Sequence, residues 1–425
     1  MQNRPLFVRN AAQLVTFSGG SKGPLAGRQM KELRIMENGS VWMEQGKIAA
    51  VGPDDELMAA YRERLGEAEV VDASGKLVTP GLVDPHTHLV FAGSREQEFA
   101  MRLQGKTYME IYNAGGGIRA TVRATRQANA DALFEASRGR LDQFLLHGVT
   151  TVEAKSGYGL TLEDELKQLE VARRLHQSHP VDVVSTFMGA HAVPLEYKDD
   201  PDRFVDEVVS VMIPEVARRE LAEFNDVFCE QGVFTPEQAR KILLAGKEHG
   251  LWPKIHADEI EPYGGAELAA EVGAVSADHL LKASEEGMRR MAAAGVIGVL
   301  LPGTAFFLMA EFAKARKMID LGVPVALSTD CNPGSSPTVS LPFIMNLGCL
   351  KMGMTPEEVL AATTVNAAHA IRRGHEIGSL EKGKKADLVI FRVANYMQLQ
   401  YGYAVNHVDT VIKNGNVVVK GGRLL

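Results

Sequence analysis

Short apolar runs recur through the middle of the chain, most of them ending in a polar or ionisable residue. Eight read as strands, over residues 82–88, 150–155, 182–191, 226–231, 253–258, 275–280, 296–301 and 324–330. Stretches with helical spacing separate most of them. Leu162, Leu166, Leu169 and Ala172 share one face of a helix after Thr161. Thr235-Pro236-Glu237-Gln238 and Thr355-Pro356-Glu357-Glu358 each set a cap residue before a proline and then Glu or Gln, which marks a helix start. Eight strands alternating with helices over roughly 300 residues predict an α/β fold, a (β/α)8 TIM barrel. The segment from Leu89 to Gly148 is longer than one crossover needs, so extra loop or helix is expected after the first strand.

The two ends of the chain have a different texture. Residues 41–43 and 48–51 read as strands flanked by Asn38-Gly39 and Gly52-Pro53, residues 54–64 as a short helix, and 70–78 as extended chain. Residues 386–391 and 408–412 are also strand-like, and Lys413-Asn414-Gly415-Asn416 is a hairpin turn leading into 417–419. These patterns predict a small β-sandwich domain built from both chain ends, residues 1–80 and 383–425. The barrel, residues 81–382, is inserted between them.

Composition narrows the function mainly by exclusion. The 425 residues are 45% hydrophobic and 23% charged, ordinary globular usage. There are 46 basic and 53 acidic residues, a net charge of −7 with no basic block, so nucleic-acid binding has no electrostatic footprint. Cys229, Cys331 and Cys349 are too few and too dispersed for a disulfide framework or a CxxC zinc site, and they suit a reducing cytosol. The first residues lack the apolar core of a signal peptide. The most apolar stretch, 292–310, is broken by Pro302-Gly303 and reads as strand, turn and helix rather than a membrane span. A cytoplasmic protein with neither nucleic-acid nor membrane partner is expected.

Candidate chemistry collects at the strand ends, where a barrel places its active site. The ends carry His86 and His88, Glu153 and Lys155, His191, Glu230, then His256, Asp258 and Glu259, His279 and Asp330, on strands one to six and eight. Residues two apart on a strand share a face, so both imidazoles of Asp84-Pro85-His86-Thr87-His88 can point into the barrel mouth. An isolated His-x-His also fits two surface histidines. Joined by His256 and Asp330, it reads as three imidazoles and a carboxylate with room for water, the open arrangement of a catalytic metal. Neutral imidazole suits zinc and iron.

This set, beside a split β domain, resembles the amidohydrolase superfamily. Longer segments sharpen the likeness: Phe91-Ala92-Gly93-Ser94-Arg95, the run from Glu153 to Leu160, Phe187-Met188-Gly189-Ala190-His191, His256-Ala257-Asp258-Glu259 and the run from Ser328 to Pro337. They are similar to members that hydrolyse the ring amide of 4-imidazolone-5-propanoate to N-formimidoyl-L-glutamate, the third step of histidine degradation. The resemblance spans nearly the whole chain, although Cys331 stands where some relatives carry a bulkier aromatic.

The resemblance implies a homodimer with one divalent metal ion per chain, zinc or iron, held by His86, His88, His256 and Asp330. It further implies that Asp330 accepts the proton of the attacking water. His279 would polarise the carbonyl or steady the oxyanion, and Glu259 would carry a proton to the leaving ring nitrogen. Arg95 would clamp the propanoate, Tyr158 and His191 would face the substrate with His191 donating to it, and Asn332, Gly334 and Ser335 would contact ring or carboxylate. Taken alone, Arg95 reads as a solvated arginine, Tyr158 and His191 as packed side chains, and Gly334 as a turn residue.

Lys155 reads as an ion pair, with Glu153 as its partner, and Gly115-Gly116-Gly117 as a hinge or turn, because no clear strand precedes it. His147, His176, His179, His249, His369, His375 and His407 fall on helices or connections and are expected to be incidental. Two other functions stay open. A deaminase of a nucleobase such as cytosine or guanine would use the same ligands but has no carboxylate for Arg95. A non-catalytic scaffold would be expected to have lost ligands, and none is missing.

Overall fold

The structure is a computed structural model that describes residues 4–106, 110 and 115–425. The eight expected strands form as Leu82–Thr87, Val149–Lys155, Asp182–Ala190, Phe224–Cys229, Trp252–Ala257, Ser276–His279, Ile297–Leu300 and Val325–Leu327. They pair in parallel, in chain order. The eighth returns to the first at the carboxyl ends: Asp330 N–H donates to His86 O at 3.2 Å and His88 N–H to Cys331 O at 3.0 Å. Closure of the barrel therefore brings His86, His88 and Asp330 together.

Barrel strands are buried on both faces, which is why they read as runs rather than alternations. All seven residues of Val149–Lys155 are buried, Glu153 and Lys155 among them. The helix Leu162–Ser178 is capped by Thr161 and buries Leu166, Leu169, Ala172 and Leu175. Both Thr-Pro motifs form capping boxes, on helices Pro236–Glu248 and Pro356–Ala362. The long segment after the first strand holds helices Glu96–Leu103, Ile118–Gln127 and Ala130–Leu146. The eighth strand stops sooner than its apolar pattern suggests. The Ser328 and Thr329 hydroxyls leave the strand line to donate to Asp84 on the first strand.

The chain ends form two further sheets. One takes four strands from the amino-terminal side, in the order Lys47–Pro53, Gly39–Glu44, Leu6–Ala11, Glu69–Asp72. The other has seven and mixes the ends: Leu388–Phe391 runs antiparallel to Leu77–Pro80, with Leu388 opposite Pro80. Val8, Val41, Leu14, Val78 and Ile390 share one buried cluster between the sheets. The Asn414-Gly415 turn has φ of 48° and 72°, as a two-residue type I′ hairpin requires. Lys413 and Lys385 reach Asp182, at the start of the third barrel strand, at 2.7 and 3.2 Å. The sandwich thus grips the barrel at the opposite end from the histidines. No described helix is long and apolar enough to cross a membrane.

Candidate metal centre and active site

Two overlapping triads of possible ligands meet at the barrel mouth. His86, His88 and Asp330 form one and His86, His256 and His279 the other, with the ligand atoms of each triad within 4.8 Å of one another. The backbone aims some of them at a cost. His279 and Asp330 leave their strands with φ of 75° and 52°, a region that non-glycine residues occupy when the surroundings over-determine it.

The polar atoms here fit a cation. Among the described residues, His86 Nε2, His88 Nδ1, His256 Nε2, His279 Nδ1 and Asp330 Oδ1 are buried without a hydrogen-bond partner, although Glu259 Oε1 lies 3.5 Å from His279 Nδ1. Each such atom is costly unless a ligand satisfies it. Three of these residues are held from behind. His86 Nδ1 donates to Asp278 at 2.6 Å, His256 Nδ1 donates to Asp226 at 3.1 Å, and Asp330 Oδ2 accepts from the Thr304 hydroxyl at 2.6 Å. Ionised carboxylates accept only, so both imidazoles carry hydrogen on Nδ1 and turn Nε2 to a cation. His86 Nε2 and His88 Nε2 lie 3.4 and 3.7 Å from Asp330 Oδ1. Burial, first of all, keeps His86, His88 and His279 well below the usual histidine pKa and hence neutral, while for His256 the pull of Asp226 outweighs burial and raises the ring. Imidazoles with a carboxylate oxygen suit zinc or iron.

A charged layer lies under this cluster. Lys155 pairs with Glu153 at 2.8 Å as expected, and also with Asp226 at 2.7 Å and Asp278 at 3.4 Å. Sequence reasoning missed both aspartates, and Thr304 as well. A carboxylate inside an otherwise apolar strand was the available signal. Two strand-end carboxylates organise loops. Glu230 accepts from Ile260 N–H at 2.9 Å, next to Glu259, and Asp258 accepts from Tyr263, Gly264 and Ala266 N–H at 2.8–2.9 Å. Glu165, not singled out from sequence, gathers the N–H groups of Gly157, Gly159 and Leu160 and so shapes the loop carrying Tyr158.

A cleft of about 280 Å³ opens over the cluster, and Arg95, Tyr158, His191, Glu259, His279, Asp330, Asn332 and Ser335 line it with His88 and His256. Another recess, of about 310 Å³, is centred on Asp182, Glu223 and Lys385 at the sandwich side and contains none of these residues. Arg95 is braced by Glu98, through Nε at 3.0 Å and Nη2 at 2.8 Å, and Glu98 also accepts from Gly117 N–H at 2.9 Å. The glycine segment is a turn, with φ of 84° and 76° at Gly115 and Gly117, and Gly117 reaches the cleft wall. Tyr158 packs against His88 and His191, at ring-centroid distances of 5.5 and 5.3 Å.

Two local arrangements bear on the expected substrate contacts. His191 Nδ1 lies 3.1 Å from Gly157 O, and burial pushes the ring down to about 3, so it is neutral. Its single hydrogen faces that carbonyl, and Nε2 is left to accept rather than donate. Gly334 does not line the cleft. A Cβ there would sit 1.9 Å from Arg95 Nη1, so the glycine makes room for the guanidinium. Asn332 is also engaged locally, accepting from Gly334 and Ser335 N–H at 2.8 Å and donating to Asp330 O at 2.7 Å. Gly334→Ala is therefore expected to displace Arg95, raising KM while metal content stays at the unmutated level. Steady-state kinetics beside elemental analysis checks this.

A barrel with a split sandwich and a cluster of possible metal ligands at its mouth defines a class. Residues 77–418 match the amidohydrolase family, and the chain belongs to it. It is 74% identical over 421 residues to the imidazolonepropionase of a Geobacillus species and 71% to that of Brevibacillus brevis, with 99% of each chain covered in both cases. Within the amidohydrolases it belongs with the imidazolonepropionases. Among solved structures it resembles a triazine hydrolase variant, with TM-score 0.72 and 18% identity over 100% of this chain and 96% of the other. An adenosine deaminase from Xanthomonas campestris with bound zinc gives TM-score 0.71 and 17% identity over 99% and 94%. Those two share the fold.

Proposed function

We propose that this chain hydrolyses the ring amide of 4-imidazolone-5-propanoate to N-formimidoyl-L-glutamate, with one zinc or iron ion held by His86, His88, His256 and Asp330. The observation that carries the reading is the meeting of buried, unpartnered ligand atoms with the Arg95 guanidinium around one small cleft. The relationship to imidazolonepropionases supports the substrate, and it leads us to propose a cytoplasmic homodimer.

A divalent ion at this site supplies Lewis acidity and lowers the pKa of water. The protein does the rest. Arg95 holds the propanoate, and His191 Nε2 accepts from a substrate N–H. Asp330, with Oδ2 held by Thr304 and Oδ1 turned to the cluster, takes the proton of the attacking water. His279 steadies the developing oxyanion at the ring carbonyl. Without a cation Glu259 is pushed up to about 8, by burial and then by Asp330, which favours its acid form. It gives its proton to the ring nitrogen as the C–N bond breaks.

Purified protein is expected to consume imidazolone propanoate in a metal-dependent way, and Arg95→Ala to raise KM with little loss of metal. Ammonia release from cytosine or guanine, with no imidazolone turnover, would replace this reading with the deaminase.

A further inference from the structure

The Lys155 ammonium is a buried charge beside the site for which the proposed reaction has no use. The side chain is fully buried at the end of the second barrel strand, between Glu153, Asp226 and Asp278. Two of those carboxylates continue outward. Asp226 binds Lys155 through Oδ2 and His256 Nδ1 through Oδ1. Asp278 turns Oδ2 toward both Lys155 and His86 Nδ1, while Oδ1 accepts from Ser276 at 2.6 Å. One ammonium thus stands behind two carboxylate–imidazole pairs that arrive from different strands.

We propose that Lys155 is a positioning residue for the metal site: it fixes Asp226 and Asp278 in the orientations that hold His256 and His86 with Nε2 bare and convergent. This rests on the reading of His86 and His256 as ligands. Without the ammonium, three carboxylates share one dry compartment and repel. Relief requires them to move apart, and the imidazoles bonded to Asp226 and Asp278 move with them. Lys254 is no substitute. It bonds the carbonyl of Pro85 at 3.1 Å and lies 3.6 Å from Glu153; its charge also reaches Asp278, but among the described residues it forms an ion pair with neither Asp278 nor Asp226. Carboxylate partners of ligating histidines typically alter metal affinity by about 10–100-fold, and Lys155 acts on two of them at once.

The test uses the full chain stripped of metal and reloaded. Zinc affinity is measured by competition with a chromophoric chelator, and site geometry by the visible spectrum of the cobalt(II)-loaded protein. Lys155→Met keeps the length and removes the charge, and Lys155→Gln keeps an N–H donor without the charge. Folded variants that bind zinc about 10–100-fold more weakly, with an altered cobalt spectrum, are expected. Unmutated zinc affinity with an unmutated spectrum overturns the inference, because Lys155 is then only a buried ion pair of the fold. Failure of both variants to fold overturns it in the same sense. His256→Ala is the control: if it binds zinc as tightly as the unmutated chain, the ligand reading fails rather than the role of Lys155.

Discussion

Asp330→Ala is expected to give a folded protein that has lost both its ion and its turnover. The side chain supplies one of the unpartnered ligand oxygens through Oδ1, while Oδ2 is held by Thr304. Its removal takes away the one carboxylate among the proposed ligands and also the base that takes the water proton. The loss of the base alone is expected to lower kcat by about 10²–10⁴-fold, and the lost ligand weakens metal binding on top of that. Elemental analysis after dialysis, paired with turnover at saturating added zinc, separates the two contributions. Stoichiometric metal together with near-normal turnover would remove Asp330 from both roles.

Glu259→Gln is expected to divide the roles differently. The variant keeps its metal, because Glu259 is outside both ligand triads, yet kcat falls by about 10²–10⁴-fold. The acid form is the active one in the proposed step, so activity is present below the carboxyl's pKa and fades as pH rises through it. That pKa stands at about 8 without a cation, and a cation nearby lowers it. The unmutated enzyme should therefore show an alkaline limb in its kcat/KM profile at or below about pH 8, missing from the residual activity of Glu259→Gln. The same limb in the variant would assign the titration to another group.

The fold was legible in the sequence because barrel strands are buried on both faces and so show as bare apolar runs, and because ionisable residues at their ends interrupt those runs. His86, His88, His256, His279, Glu259 and Asp330 all surfaced in that way. What surrounds them did not. Asp278 serves His86 across a closed sheet, 192 residues away in the chain, and Thr304 reaches Asp330 from the helix after the seventh strand. Such partnerships exist only once the barrel closes, and no local spacing encodes them. The acceptor role of His191 depends on which of its two nitrogens meets the Gly157 carbonyl. Gly334 looks like a turn glycine in sequence, and only the guanidinium packed against it shows that the missing side chain is what matters.

The pairing of Leu388–Phe391 with Leu77–Pro80, and of the eighth barrel strand with the first, has a consequence for biogenesis. A chain emerging from the ribosome exposes His86 and His88 early but must wait for Asp330 before a ligand triad with that carboxylate exists. It must wait longer still for the segment that zips the sandwich shut. Contacts of such high sequence separation form late and slowly. Nascent chains and products truncated before the eighth strand therefore hold at most part of the proposed ligand set.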